Sequence, residues 1–175
     1  NDRTFYYEVL PSNQLELGLW LESERLLHAN IDQIGVDTQN EVVKEEKRLR
    51  VDNQPYGSFL AEMNKRAYKE HPYRWTTIGK MEHLDAATLE EFIDFYHKFY
   101  VPENAILSIA GDINIPSTKK MIESYFGPIP NGKEKITPIS IVEPALGGEI
   151  RDTVYDNIQL PGVMMAYRIP AQGTE

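Results

Sequence analysis

The chain has 175 residues, of which 41% are hydrophobic, and its formal net charge is -9 at pH 7. That hydrophobic content suits a packed core and argues against a disordered chain, while the acidic balance argues against nucleic-acid binding, which needs a basic patch. The absence of cysteine excludes disulfides, thiolate metal ligands and cysteine nucleophiles.

The chain opens with a predicted strand and a predicted helix. Residues 4–9 are aromatic and β-branched, and Pro11 closes them, which is the pattern of a strand. A helix is expected to begin at Ser12 or Asn13. Asn13 and Glu16 have the spacing of a capping box, and leucines then recur on one face.

A second helix is predicted from Thr38, because Glu41 follows it at the same capping-box spacing. The apolar pattern continues to about His71, and Pro72 ends it. The residues 55–57 contain a proline and a glycine, so we expect the helix to bend there.

The middle of the chain predicts a loop over residues 72–84 and a third helix over residues 86–99. Asp85 is the expected cap of this helix, and its leucine and aromatic residues fall on one side. Pro102 ends the pattern.

The rest of the chain predicts further strands around a fourth helix. Residues 104–110 resemble a buried strand, and strand character returns at 150–155 and 163–169. Asn114 is the expected cap of a helix that ends at Phe126. The order of elements predicts an α+β fold, with helices packed on one face of an antiparallel sheet.

The second helix carries two adjacent carboxylates that its geometry separates. At 3.6 residues per turn, Glu46 shares a stripe with Gln39, Val42 and Leu49, whereas Glu45 lies on a more polar stripe. A carboxylate on an apolar face must be paired, protonated or bound to a metal. The pattern leaves two readings open for Glu46, an ion pair with a lysine or arginine and a metal ligand.

The histidines form no local zinc motif. His71 and His83 each follow a glutamate, but the H-x-x-E-H motif requires a second histidine three residues before that glutamate. Ala67 and Gly79 occupy those positions, and H-E-x-x-H is also absent. We therefore expect surface or loop roles for the histidines.

Six blocks of the sequence carry a family resemblance, in order and at family-like spacing. They cover residues 2–26, 41–49 (EVVKEEKRL), 71–79 (HPYRWTTIG), 89–114, 125–130 (YFGPIP) and 158–171 (IQLPGVMMAYRIPA). Together they resemble the pitrilysin/insulinase family of zinc metallopeptidases, the inverzincins. The resemblance implies a metallopeptidase-like domain, incomplete here because its H-x-x-E-H helix is absent from these 175 residues.

The resemblance also implies a role for the carboxylate pair. In this family the third protein ligand of zinc is the second glutamate of a motif like E-x-x-V-V-x-E-E, which corresponds to Glu46. The two histidines and the catalytic glutamate belong to the H-x-x-E-H helix, so no catalytic residue is expected in this chain. Gln39 replaces a glutamate that the family often has seven residues before the ligand, and it is expected to hydrogen-bond near the metal.

The family organisation implies three segments. Residues 1–130 are expected to be the later part of a catalytic domain, 131–148 a linker, and 149–175 the start of a second homologous domain. The implied function is that of a fragment of a zinc metalloendopeptidase, inactive alone, whose partners are a peptide substrate and the remaining domains or a homologous subunit. The alternative is a non-catalytic homologue that binds peptide or scaffolds an active partner.

Further expectations concern membrane insertion, localisation and self-association. No apolar run reaches the length of a membrane span. The lack of cysteine and the bacterial character of the blocks favour a periplasmic or secreted bacterial protein. Removing the first part of a domain is expected to uncover the strand edge at residues 4–9 and the apolar flank near Val42, so the fragment is expected to self-associate there.

Overall fold

The computed structural model describes residues 3–170, and all regular secondary structure in this range is helical. Its α-helices are α1 (Leu15–Leu27), α2 (Gln33–Lys47), α3 (Phe59–Ala67), α4 (Met81–Ala86), α5 (Leu89–Phe99) and α6 (Ile115–Phe126). Short 3-10 turns occupy Ser12–Gln14, Pro72–Arg74 and Pro102–Asn104, and a π-helical turn occupies Arg48–Asp52.

The predicted antiparallel sheet is wrong, because residues 3–170 contain no strand. The segments predicted as strands, 4–9, 104–110, 150–155 and 163–169, have no strand structure, and no backbone hydrogen bond joins any two of them. Aromatic and β-branched residues favour an extended backbone, but a strand also needs a second segment to pair with it. The local pattern was strand-like, and the pairing partner is missing among the described residues.

The first helix enters through a 3-10 turn rather than through the predicted cap. Within that turn the Gln14 N–H bonds to the Pro11 carbonyl at 2.8 Å, which shifts the start of α1 to Leu15. Gln14 is then the N-cap residue and makes no side-chain cap bond. The predicted capping box at Asn13 is therefore wrong.

The second helix begins five residues earlier than predicted. The Asp32 carboxylate accepts the Gly35 N–H at 2.7 Å, and the Asp32 carbonyl accepts the Val36 N–H at 3.0 Å. Aspartate is a strong capping residue and comes first in the chain, so α2 starts at Gln33 and Thr38 lies inside it.

The bend predicted near residues 55–57 is confirmed as a complete break between the π-helical turn and α3. Tyr56 has a positive φ of 61°. A Cβ atom on Gly57 would lie 1.9 Å from the Val51 carbonyl oxygen, so only glycine fits there.

Two further capping residues set where α5 and α6 begin. Asp85 lies within α4, and Thr88 instead caps α5 through a capping box with Glu91. The prediction that Asp85 caps this helix is wrong, because Thr88 has its glutamate at the required third position. The prediction for Asn114 is confirmed, since its side chain accepts the Ser117 N–H at 3.1 Å at the start of α6.

The described residues form two compact units, which we name unit A (residues 3–36 and 87–138) and unit B (residues 37–86 and 139–170). In unit A, α1 packs against α6. The buried side chains of unit A include Leu19, Ser23, Val36, Val101, Thr118 and Ile129.

In unit B, α3 contacts the Pro72–Arg74 turn. Hydrogen bonds also connect the first part of this unit to its later part, residues 139–170. The Arg66 guanidinium donates to Asp152 at 2.6 Å, and the Tyr56 hydroxyl donates to the Leu160 carbonyl at 2.7 Å. Over the part of the chain that the structure describes, no helix combines the length and the apolar character that crossing a bilayer requires.

Candidate functional site

Residues 37–47 of helix α2, which belong to unit B, have one side held by neighbouring residues and one side open. On the held side the Asn40 amide donates to the Leu84 carbonyl at 3.2 Å, and the Lys44 ammonium pairs with Asp85 at 2.6 Å. On the open side Val42 and the following Leu49 remain 52% and 56% exposed. The stripe predicted to be least polar is therefore an exposed apolar face of α2 and its continuation.

Glu46 lies on this open side, one residue before the end of α2. Its side chain is 38% exposed, compared with 56% for the side chain of Glu45. The predicted difference between the two neighbours is therefore present in their exposure, and Glu46 is the more sheltered carboxylate.

Each carboxylate of the pair has an arginine partner. Arg50 Nη1 lies 2.7 Å from Oε1 of Glu46, at a separation of four residues. Arg48 Nη1 lies 3.2 Å from Oε2 of Glu45, at a separation of three. The ion pair considered as one reading of Glu46 is thus present, and its partner is Arg50.

The segment carrying both arginines is the π-helical turn Arg48–Asp52. The Asn53 N–H bonds to the Arg48 carbonyl at 2.9 Å, which is the five-residue spacing of a π-helix. Such turns are rare and often lie at functional sites. This one places Arg50 three residues after the end of α2, the helix that carries Glu46.

Gln39 is exposed on the same helix, one stripe position before Val42. The expected hydrogen-bonding role of Gln39 near a metal stays a prediction.

The donor set of this site fits one zinc ligand rather than a whole zinc centre. A partly exposed carboxylate such as Glu46 is a suitable oxygen ligand. A protein zinc site uses three or four protein ligands, and no group of three or more histidine, aspartate or glutamate side chains in the described range 3–170 is placed to hold a metal. Within the described residues, Glu46 alone would therefore fill at most one coordination position of a zinc ion.

Unit B contains a second polar cluster, centred on Glu143, which was not predicted from the sequence. Its carboxylate accepts the backbone N–H groups of Lys69, Glu70 and His71 at 2.6, 3.0 and 2.7 Å, and the guanidinium of Arg168 at 3.0 Å. Burial by itself raises the pKa of this carboxyl. The three N–H groups and the arginine outweigh burial and lower the pKa to about 2.

Arg168 extends this cluster to the end of α3. Its guanidinium donates to the Ala67 carbonyl at 2.6 Å and to the Pro144 carbonyl, and lies over the ring of Tyr68 at 5.5 Å. We name Glu143 and Arg168 the clamp. No sequence signal pointed to it, because Glu143 is 72 residues from His71 and 25 from Arg168.

Comparison with a family model identifies the second half of the chain. Residues 86–175 match the model described as the peptidase M16 inactive domain. The matched range covers the later part of both units and excludes the helix that carries Glu46.

Individual relatives match nearly the whole chain. It is 31% identical to the zinc protease PqqE of Helicobacter pylori over 172 residues, which covers 97% of this chain and 39% of that protein. It is 24% identical to a probable mitochondrial-processing peptidase subunit beta of Schizosaccharomyces pombe over 176 residues, with 97% and 38% covered.

A solved structure agrees with these sequence matches. The crystal structure of a protease from Helicobacter pylori has a TM-score of 0.72 and 32% sequence identity, over 76% of this chain and 32% of that one. The chain thus spans about two fifths of the length of the curated relatives it matches. The ordered motifs, the family model over half of the sequence and the solved structure all agree, and the chain therefore belongs to the peptidase M16 family, the pitrilysin/insulinase type of zinc metallopeptidase that its sequence resembles.

Proposed function

We propose that this chain is part of a zinc metalloendopeptidase that hydrolyses peptides, and that Glu46 is the third protein ligand of its zinc. The observation that carries the proposal is the place of Glu46. It is the more sheltered carboxylate of the pair and lies between exposed Val42 and Leu49 on the open side of α2. Membership of a family whose named relatives include zinc proteases supports the same role.

The remaining parts of the site lie outside these 175 residues in this proposal. By resemblance, an H-x-x-E-H helix supplies two histidine ligands and the catalytic glutamate, and it docks on the open side of α2. When bound, the zinc supplies a Lewis acid for peptide hydrolysis. Glu46 contributes a negatively charged oxygen that helps to hold the metal, and Gln39 contributes a neutral amide on the same side of the helix.

A second candidate is a non-catalytic homologous subunit that binds peptide or scaffolds an active partner. Two observations favour it. The matched family model is that of an inactive domain, and one relative is a subunit of a processing peptidase. The presence of a sheltered carboxylate at Glu46 favours the catalytic role over this one, because a scaffold has no need of a metal ligand.

The test compares two neighbouring substitutions in the full-length protein. Glu46→Gln keeps the shape of the side chain but removes the charge, so zinc affinity should fall by more than about tenfold and peptide cleavage should be lost. Glu45→Gln is the matched control. It removes an equal charge from the more exposed neighbour, and exposed pairs are worth at most about 1 kcal/mol.

Zinc content, measured by elemental analysis after dialysis, and peptide cleavage are the two readouts. Loss of both in Glu46→Gln, with both retained in Glu45→Gln, is the expected result. Equal zinc content in all three proteins would remove Glu46 from the metal site. A wild-type protein that holds no zinc and cleaves no peptide would favour the non-catalytic candidate.

A further inference from the structure

We propose that Arg50 competes with zinc for Glu46 and so weakens zinc binding. The inference rests on the proposed function of Glu46 as a metal ligand. Its basis is the ion pair between Arg50 Nη1 and Oε1 of Glu46, which lie 2.7 Å apart. Among the described residues, this is the one ion pair that the Glu46 carboxylate makes.

Charge gives the sign of the effect. Zinc and the guanidinium are both cations, and each gains from contact with the same carboxylate. A metal that approaches Glu46 meets a positive group already beside the ligand oxygen. Binding must therefore either displace Arg50 or hold two cations close together, and both lower the affinity of the site.

Exposure explains why Arg50 can yield to the metal. The Arg50 side chain is 77% exposed, so water can solvate the guanidinium once it leaves the carboxylate. No other ion pair holds Arg50 in the part of the chain that the structure describes. Arg50 therefore pairs with Glu46 while zinc is absent and can leave the carboxylate when zinc binds.

The small energy of this ion pair means that Arg50 can change zinc affinity only modestly. An exposed ion pair at a separation of four residues on a helix contributes little, and removing the competitor should raise zinc affinity by about two- to fivefold at low salt. Salt screens exposed charges, so the difference should shrink as ionic strength rises towards about 1 M.

The opposite role for Arg50 makes the opposite prediction. If Arg50 instead fixed the orientation of Glu46 for the metal, its removal would release the ligand and reduce zinc affinity. The direction of the change in affinity therefore separates competition from orientation.

The experiment measures zinc affinity of the full-length protein by competition with a chromogenic chelator. Arg50→Met keeps the length of the side chain and removes the charge, and Arg50→Lys keeps the charge. Arg48→Met is the matched control, since it removes an equal charge from the same turn but frees Glu45. We expect tighter zinc binding in Arg50→Met alone, and affinity near wild type in Arg50→Lys and Arg48→Met.

Each other outcome contradicts the inference in a distinct way. An unchanged or weaker affinity in Arg50→Met rules out competition. An equal gain in Arg48→Met shows a general effect of net charge and also rules it out. Glu46→Gln, measured in the same assay, separates the two proposals. If Glu46→Gln does not alter zinc affinity, the proposed function itself is wrong. If it does and Arg50→Met has no effect, only the role of Arg50 is wrong.

Discussion

At the scale of single residues, the carboxylate of Glu143 is bound more fully than that of Glu46. Its side chain is 13% exposed and accepts three consecutive backbone N–H groups as well as a guanidinium. Successive N–H groups of this kind form an anion-binding nest. The nest holds the residues that follow α3 against the segment containing Glu143, so the clamp should stabilise unit B.

Replacing Glu143 with glutamine should destabilise the protein at neutral pH. The pKa of Glu143 is lowered from its ordinary value of 4.5 to about 2, so the charged form is stabilised by folding. This contribution is present above pH 4.5 and is lost as the pH falls from 4.5 towards 2. The melting temperature of Glu143→Gln should therefore lie below that of wild type at pH 7. The difference in melting temperature between the two proteins should shrink as the pH falls from 4.5 towards 2.

Glu149→Gln is the control for this measurement. Glu149 pairs with nearby Arg151, and both side chains are largely exposed, at 68% and 86%. Exposed pairs contribute little, so the control should melt close to wild type throughout. A gap between wild type and Glu143→Gln that stays constant from pH 7 to pH 2 would show that the charge of Glu143 is not what stabilises the clamp.

Part of the candidate site could be predicted because it depends on one helix. The 3.6-residue period separates Glu46 from Glu45, and their exposures differ in the same direction. The spacing of four between Glu46 and Arg50 is also a local signal for an ion pair on a helix. The clamp joins residues far apart in the chain, and no periodicity connects them.

At the scale of elements, the start of α5 depends on the capping box between Thr88 and Glu91. The Thr88 hydroxyl accepts the Glu91 N–H at 3.3 Å, and the Glu91 carboxylate accepts the Thr88 N–H at 2.8 Å. Thr88→Ala removes one of these two bonds and should cost about 1 kcal/mol in the free energy of unfolding. Urea denaturation followed by circular dichroism measures it.

Ser58→Ala provides the control at a position of the same kind. Ser58 is the N-cap residue of α3, but its side chain makes no capping hydrogen bond. The substitution should change the free energy of unfolding by only a few tenths of a kcal/mol. Equal losses in the two variants would mean that the Thr88 hydroxyl has no capping role.

Helices were more predictable than strands here because helical signals are local. Asn114 caps its own helix and Gly57 marks its own turn, and both lie where the sequence predicts them. Errors at helix starts arose where two capping residues compete, as when Asp32 precedes Thr38. The predicted strands failed for a different reason, since their structure depends on partner segments that the local pattern does not contain.

At the scale of the whole molecule, the chain leaves a row of apolar side chains in solvent. Val163, Met165, Tyr167 and Ile169 alternate along the segment and are between 74% and 87% exposed. Single exposed apolar residues are normal, but four strongly exposed ones within seven residues make this segment a candidate contact surface. This row is a further candidate surface for self-association, besides residues 4–9 and the flank near Val42, which are predicted from the sequence.

The 175-residue chain should self-associate through this row. Met165→Lys combined with Tyr167→Lys replaces two apolar contacts with charges, so the double variant should remain monomeric at concentrations where the wild type associates. Asn157→Lys combined with Gln159→Lys adds the same charge at exposed polar positions and should associate like the wild type. Sedimentation velocity over a concentration series measures the state of all three. A monomeric wild type at every concentration would contradict self-association, and equal dissociation of both variants would attribute it to net charge rather than to the apolar row.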